Sequence, residues 1–303
     1  MPDTIIRLTP QPPFDFENTA MLHGWAELEP TWYDPKLHTL QRVEVLPNDQ
    51  VVVLILHSPG SVWQPQIEVS IMHESPIDKD QLAELDGRLK HMLRLDDDLS
   101  DFYALCAERG GNWLRLKEGW GRLLRSPTVF EDMVKVICTT NVQWGGTKGM
   151  LRRLVAAYGS PFPRNDQLHG FPSPQTIANI PFDDFATAVR MGYRTAYVHE
   201  LATRVAAGYL NLEDLRSPLL PTGEVRKKLL GIKGIGPYAA ATILMLLGHY
   251  DEIAVDTAFR SFIAKKYFQG RYPSDKEALA IYQDWGKWKY LAYWFDIFSE
   301  YSS

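Results

Sequence analysis

An α+β fold, with strands gathered at the N-terminus and helices filling the rest, is what this 303-residue sequence predicts, and three observations carry it. Short β-branched runs with partial alternation cluster before Pro76. From "DKDQLAELDGRLKHMLRL" onward, apolar residues recur at helical spacing. Helix punctuation then repeats down the chain, with capping residues before the runs and Gly or Pro after them. The expected architecture is an antiparallel-sheet α/β domain over residues 1–98, followed by an all-α body of two subdomains over 99–303. Within that body, 125–222 forms a central helical subdomain, and 99–124 joins 223–303 in the other.

The strands are expected in "TLQRVEVL", "VVVLILH" and "IEVSIM", separated by Pro, Asn, Asp and Gly. Ser126-Pro127 supplies an N-cap and first helical residue for "TVFEDMVKVICTT". "TKGMLRRLVAAYG" stops at Gly159, with Pro161 beyond it. "SPQTIANI", "FDDFATAVRMG", "RTAYVHELATRVAAG", "LEDLR", "GEVRKKLLG" and the final "WGKWKYLAYWFDIFSEY" continue the helical pattern. There are no repeats and no low-complexity tract.

Composition narrows the function classes. A formal charge of −5 argues against coating nucleic acid through bulk charge, but leaves room for a local basic patch. Two cysteines, Cys106 and Cys138, exclude a disulfide scaffold and any four-cysteine zinc or iron–sulfur site. No stretch reaches the ~20 apolar residues of a membrane span. "MPDTIIRLTPQPPFDF" has neither the basic start nor the apolar segment of an export signal. A monomer without membrane or cofactor is expected, in a reducing cytoplasm and associated with the nucleoid if the source is bacterial.

One stretch is costly enough to need an explanation. "LLGIKGIGPYAAATILMLLG" enters an apolar helix through Gly231, Gly234 and Gly236, then Pro237. Glycines there widen the allowed backbone and let another molecule approach closely. Pro237 suits the first helical position, and the unbonded amides around Gly234, Gly236 and Tyr238 suit a phosphate. Arg226, Lys227 and Lys228 lie on the preceding helix. A tight turn that merely packs two helices is the competing explanation.

This stretch resembles the hairpin of the helix-hairpin-helix (HhH-GPD) superfamily of DNA glycosylases. Asp256 in "IAVDTAFR" stands twenty residues after Gly236, where that family places its catalytic aspartate. "ICTTNVQWGGTKGMLRRLVAAYG", "GFPSPQTIANI" and "MGYRTAYVHELATRVAAGYLNLEDL" also resemble family segments in family order, so the similarity covers about residues 99–300. The N-terminal domain is compatible with the sheet domain of the 3-methyladenine and 8-oxoguanine branches. The resemblance implies that Lys233, Gly234, Ile235 and Gly236 grip a DNA phosphate, with a monovalent cation on carbonyls near Gly231 and Gly234. No catalytic metal is implied. The partner is double-stranded DNA containing a damaged base.

Asp256 precedes "TAFRSFIAKKYF", so it also reads as a plain N-cap. The two roles are compatible. Breaking an N-glycosidic bond gives the sugar oxocarbenium character, which a fixed carboxylate stabilises while orienting the attacking water. Lyase members of the family carry a lysine two residues after the last hairpin glycine, where this chain has Tyr238. A phenol forms no Schiff base. A monofunctional enzyme that uses water is therefore expected.

A base in the duplex must be flipped out and its place filled. The resemblance assigns Asn141, Val142 and Gln143 to the inserting loop, and Tyr193 and Arg194 to the wedge and the contact with the orphaned base. "GYR" also reads as a loop glycine, a core tyrosine and a solvated arginine. Trp144, Tyr238, Trp288, Tyr290 and Trp294 are the candidates for aromatic pocket walls, against the ordinary alternative that they are core. Aromatic walls suit a cationic alkylated purine. Alkylated purine is preferred here, and oxidised guanine is the alternative because of the Asn141 and "GYR" segments. A non-catalytic hairpin protein is the rival from another class.

Overall fold

The computed structural model describes residues 4–301. The chain divides between Leu212 and Glu213 into two compact units. In the first, β1 (Thr4–Leu8), β2 (Thr31–Asp34), β3 (Thr39–Val45), β4 (Val51–His57) and β5 (Ile67–Met72) form an antiparallel sheet ordered β1-β5-β4-β3-β2. Strands β2 to β5 run as a meander, and β1 adds to the open side of β5. Pairs such as Val43 with Val53 and Leu54 with Ile71 set the register. Between β1 and β2 lies a short helix, α1 (Phe16–Met21), capped by Asp15, whose Oδ1 accepts the Asn18 amide at 2.9 Å.

Alternation along the strands gives the sheet two buried faces. Val43, Val51 and Val53 face Phe162, with Trp32, Val45, Ile55, Met72 and Leu168 packed around them. Phe162 and Leu168 belong to a small hairpin, β6 (Pro161–Phe162) and β7 (Asn165–His169), inside the stretch expected to be helical. "NDQLH" carries no alternating apolar signal, and its strand form comes from covering the sheet. At Gly159 an added Cβ would run into the Gly170 carbonyl, so the chain can double back there only without a side chain.

The opposite face carries Arg42 and Glu44, which are 2% and 4% exposed. It meets α2 (Lys79–Met92) and α4 (Val129–Thr139) from the following segment, which also holds α3 (Ser100–Arg109). Arg42 donates to both Glu131 oxygens, at 2.9 and 2.7 Å, and through Nε to Glu44 at 2.6 Å. Lys135 Nζ reaches Glu131 at 2.8 Å, and Arg88 of α2 reaches Glu44 at 2.5 Å. Burial opposes ionisation of Glu131, but Arg42 and Lys135 outweigh it and hold the carboxyl below its usual range.

The start of α4 differs from expectation. Its cap is Thr128, whose hydroxyl accepts the Glu131 amide at 3.3 Å, rather than Ser126. Ser126 instead gives its amide to the buried Asp132 carboxylate at 2.9 Å, which also takes the Trp25 indole N–H at 2.7 Å. A buried carboxylate needs those donors, and it draws Ser126 inward. Helices α5 (Trp144–Tyr158), α6 (Pro174–Ala178), α7 (Phe182–Val189) and α8 (Arg194–Ala206) complete the unit.

The second unit is helical: α9 (Thr222–Leu230), α10 (Pro237–Leu247), α11 (Thr257–Tyr267), α12 (Asp275–Ala280) and α13 (Lys289–Tyr301). The expected last helix is broken, because Gly286 takes φ 55° and leaves Trp285 and Trp288 in a 3₁₀ segment before α13. Asp296 of α13 is 6% exposed and accepts from Lys266 at 2.9 Å, Tyr267 at 2.5 Å and Tyr282 at 2.7 Å. Among the described residues, no helix is long and apolar enough to cross a membrane.

Two buried groups near Trp25 give the first unit opposing proton linkages. Burial pushes His23, stacked on Trp25, down to about 3, and pushes Asp132 up to about 6. Below about pH 6.5 the unfolded chain gains the His23 proton that the fold refuses, so that contribution falls with acidification. Below about pH 6 the fold gains the Asp132 proton before the unfolded chain does, so that contribution rises. Relative to wild type, His23→Gln is expected to gain stability from about pH 6 to about pH 4, by up to about 1.4 kcal/mol per pH unit. Asp132→Asn is expected to lose stability over the same window. Urea titrations at several pH values measure both, and parallel curves for all three proteins would refute the linkage.

Candidate active site

The glycine-rich turn and Asp256 both lie in the second unit. Helix α9 ends at Gly231, whose amide shares the Lys227 and Lys228 carbonyls. Ile232 and Ile235 are buried, and the Ile235 amide closes a turn on the Ile232 carbonyl at 3.1 Å. Those two side chains pin the loop from within, which leaves Lys233 and Gly236 exposed. Gly234 has φ 89°, a conformation that L side chains rarely adopt. Gly236 has extended backbone, φ −89° and ψ −177°, which any residue tolerates. A Cβ there would meet nothing within 4 Å, so that glycine keeps an approach open rather than permitting a turn. Among the described residues, the Gly234 and Gly236 amides have no acceptor. They stand beside the N-terminus of α10, where partial positive charge and unbonded amides suit an anion. Lys227 and Lys228 are exposed on the adjoining helix.

From the end of α10 a loop leads to Asp256. The Thr222 hydroxyl holds His249 Nδ1 at 3.0 Å and Asp251 at 2.9 Å, and Arg226 holds Glu252 at 2.9 Å. Helix α9, which opens the hairpin, thus also fixes the approach to Asp256. Asp256 is the N-cap of α11, and its Oδ1 accepts the Phe259 amide at 2.7 Å. The residue is half-buried, and among the described residues no protein donor takes its second oxygen. Arg260, one turn on, is engaged by Asp275 at 2.9 and 3.0 Å. Capping thus steadies the carboxylate through one oxygen and leaves the other without a protein donor among the described residues.

The aromatic candidates separate on inspection. Trp288 is buried and stacks on Tyr250 with centroids 5.7 Å apart, which makes it support for the loop. Tyr290 donates its amide to the Tyr250 carbonyl at 2.7 Å and stacks on the half-buried Trp294 at 6.3 Å. Burial raises the Tyr290 phenol well above its ordinary value, and the nearby Tyr293, Tyr238 and Asp256 add to this. Tyr238 is half-buried, and it and Asp256 thus act on the same buried phenol. Aromatics at helical spacing carry no direction in a sequence, so nothing there could single out Tyr290.

The strand-facing candidates gather in the first unit. Asn141, Val142 and Gln143 are exposed between α4 and α5, with Asn141 at φ 47°. The hydroxyl of Tyr193, 50% exposed, accepts from Asn141 Nδ2 at 3.2 Å. Arg194 is not solvated: it is 7% exposed, and four hydrogen bonds tie its guanidinium to the Thr140, Asn141 and Met191 carbonyls. Trp144 also belongs to the first unit, where its indole donates to Glu27 at 3.1 Å and its ring lies against Gly24.

Known proteins are similar to this chain in sequence and fold. The chain is 23% identical over 263 residues to the DNA-3-methyladenine glycosylase of Bacillus subtilis (strain 168), covering 85% of this chain and 80% of that protein. Its fold is similar to that of the 3-methyladenine DNA-glycosylase from Archaeoglobus fulgidus, with TM-score 0.75, 20% identity, and coverage of 98% and 99%. It is also similar to the 8-oxoguanine glycosylase/lyase of Clostridium acetobutylicum in its apo form, with TM-score 0.70, 16% identity, and coverage of 98% and 99%. The family model described as HhH-GPD superfamily base excision DNA repair protein matches residues 134–287, a span that takes in the hairpin and Asp256. The chain belongs to that superfamily and is a DNA N-glycosylase.

Proposed function

We propose that this enzyme hydrolyses the N-glycosidic bond of a flipped-out alkylated purine in duplex DNA and leaves the strand uncut. The observation that carries the reading is the Asp256 carboxylate, held by the Phe259 amide at 2.7 Å with its second oxygen uncommitted. As the base departs, the sugar gains positive charge, and an anion already fixed in place stabilises it with little reorganisation. The same carboxylate orients a water and takes its proton as the new C–O bond forms. Tyr238, at the position that holds a lysine in lyase members, offers no amine for attack on the sugar. The half-buried aromatic rings of Tyr238 and Trp294 favour a cationic purine, which leaves readily without being protonated. The name of the Bacillus subtilis relative supports the same class. Lys233, Gly234, Ile235 and Gly236 form the phosphate grip, with a monovalent cation on carbonyls near Gly231 and Gly234. The enzyme acts as a monomer in the cytoplasm.

Duplexes that each carry one damaged base, scored for base release with and without alkali, test the reading. Release of alkylated purine, with strand breaks only after alkali, is expected. Preferential release of oxidised guanine would transfer the substrate to the other class. Asp256→Asn keeps the shape and removes the charge, and should slow release about 10²–10⁴-fold with DNA affinity nearly unchanged. Borohydride should trap no covalent adduct with the wild-type enzyme; a trapped adduct with nicked product would defeat the hydrolytic assignment.

The hairpin glycines give a second, separable prediction. Gly236→Val should leave stability within about 0.5 kcal/mol, because neither backbone angle nor space opposes it within the protein. It should nevertheless weaken binding to damaged and undamaged duplex equally, since phosphate contacts position without specifying. Gly234→Val forces a β-branched residue to φ 89° and should cost on the order of 1–3 kcal/mol of stability. Fluorescence anisotropy and thermal melts separate the two, and normal DNA affinity in Gly236→Val would remove the hairpin from the binding site.

A further inference from the structure

We propose that Arg194 is a positioning residue, which locks two surface loops of the first unit into one rigid wedge and does not read the base left opposite the flipped nucleotide. The proposal rests on the base-flipping reading given above. Its guanidinium lies where α4 ends: Nε donates to the Thr140 carbonyl at 3.1 Å, and Nη2 donates to the same carbonyl and to that of Asn141 at 3.2 Å. Nη1 turns the other way, to the Met191 carbonyl at 3.4 Å. One side chain thus joins the loop after α4 to the loop before α8. Thr140 is the C-cap of α4, and a cation is favoured at the negative end of a helix. The guanidinium also lies 4.5 Å from the centre of the Tyr193 ring, which fixes that ring by its face.

Other contacts brace the same joint. The Tyr193 hydroxyl bridges back to Thr140 Oγ1 and Asn141 Nδ2, each at 3.2 Å. Arg153 of α5 holds the Val189 and Arg190 carbonyls at 2.9 and 3.2 Å, which anchors the base of the second loop. Two apolar side chains are exposed at the front, Val142 at 38% and Tyr193 at 50%, beside the polar Asn141 and Gln143. Two exposed apolar side chains on a braced base are suited to entering a base stack and holding the gap open. For Arg194 to reach a base it would have to abandon several charge-assisted bonds to backbone carbonyls. A planar fork makes these three attachments at once, and a lysine ammonium does not.

Hydrogen exchange of the full-length protein, with no DNA present, tests the joint directly. Arg194→Ala and the charge-retaining Arg194→Lys should both speed exchange at residues 140–143 and 190–193 by about 10-fold or more, with the α4 core unchanged. Single-turnover base release then tests the function. Arg194→Ala should lower the rate on duplex roughly 10- to 100-fold, as expected when a group remote from the chemistry is misplaced. The rate on a single-stranded lesion should fall less. The ratio of rates across the four opposing bases should stay within about twofold, whereas loss of a bidentate base contact would change it by roughly 5-fold or more. In a Val142→Ala background, Arg194→Ala should cost much less than it does alone. Unchanged exchange in both loops, a shifted opposing-base ratio, or full additivity with Val142→Ala would each overturn the proposal. If no lesion is released by the wild-type enzyme, the substrate reading fails, and the exchange experiment still decides the joint.

Discussion

The first unit hangs on a buried ion pair. Glu131 is clasped by both terminal nitrogens of Arg42, with Lys135 on one of its oxygens and Glu44 on the far side of Arg42. A charge out of water is satisfied in few geometries, and losing one partner of such a pair typically costs about 3–5 kcal/mol. The pair therefore fixes where α4 lies on the sheet, in register and in rotation. Eleven residues span about 16 Å at 1.5 Å each, and at the other end of that rod stand Thr140 and the Asn141 loop. Through Arg42 the sheet thus sets where the exposed Val142 is presented.

The second unit repeats the device. Asp296 is buried and takes donors from Lys266 and Tyr267 at the C-terminal end of α11 and from Tyr282 beyond α12. Burial together with this carboxylate raises the Tyr282 phenol, which keeps it a donor. The N-terminal end of the same α11 is capped by Asp256. In both units a polar anchor at one end of a helix holds a candidate site group at the other. A rigid helix passes on position at no further entropic cost, because its backbone is already ordered.

The candidate site groups of both units stand at helix ends. Unbonded amides and carbonyls gather at helix ends, so partial charges stand there without an ionised side chain. The start of α10 offers amides at Gly234 and Gly236, the start of α11 holds a carboxylate, and the end of α4 takes a guanidinium. The Gly234 and Gly236 amides and the exposed Lys227 and Lys228 make a local surface suited to an anion. Such a surface needs no excess of positive charge, and the chain as a whole carries −5.

Some of this was settled by residue order alone. The α+β class followed from where β-branched runs end, and the hairpin and Asp256 were legible because glycine, proline and capping aspartate have strict local backbone requirements. Such requirements involve neighbours a few residues away, so a linear reading recovers them. What needed the fold was everything decided by distant partners. Thr128 displaces Ser126 as the cap because Asp132 and Trp25, 107 positions apart, share a buried hydrogen bond that recruits the Ser126 amide. "NDQLH" is a strand because its hairpin brings Phe162 and Leu168 onto a sheet face. Arg194 turns inward because three carbonyls happen to converge on it, and Tyr290 stands out from the other aromatics because Asp256 and Tyr238 lie near it. Propensity and pattern assign a side chain to the inner or outer face of its own element. Which group it meets there depends on how the elements pack, and that depends on burial summed over the whole unit rather than on any one segment.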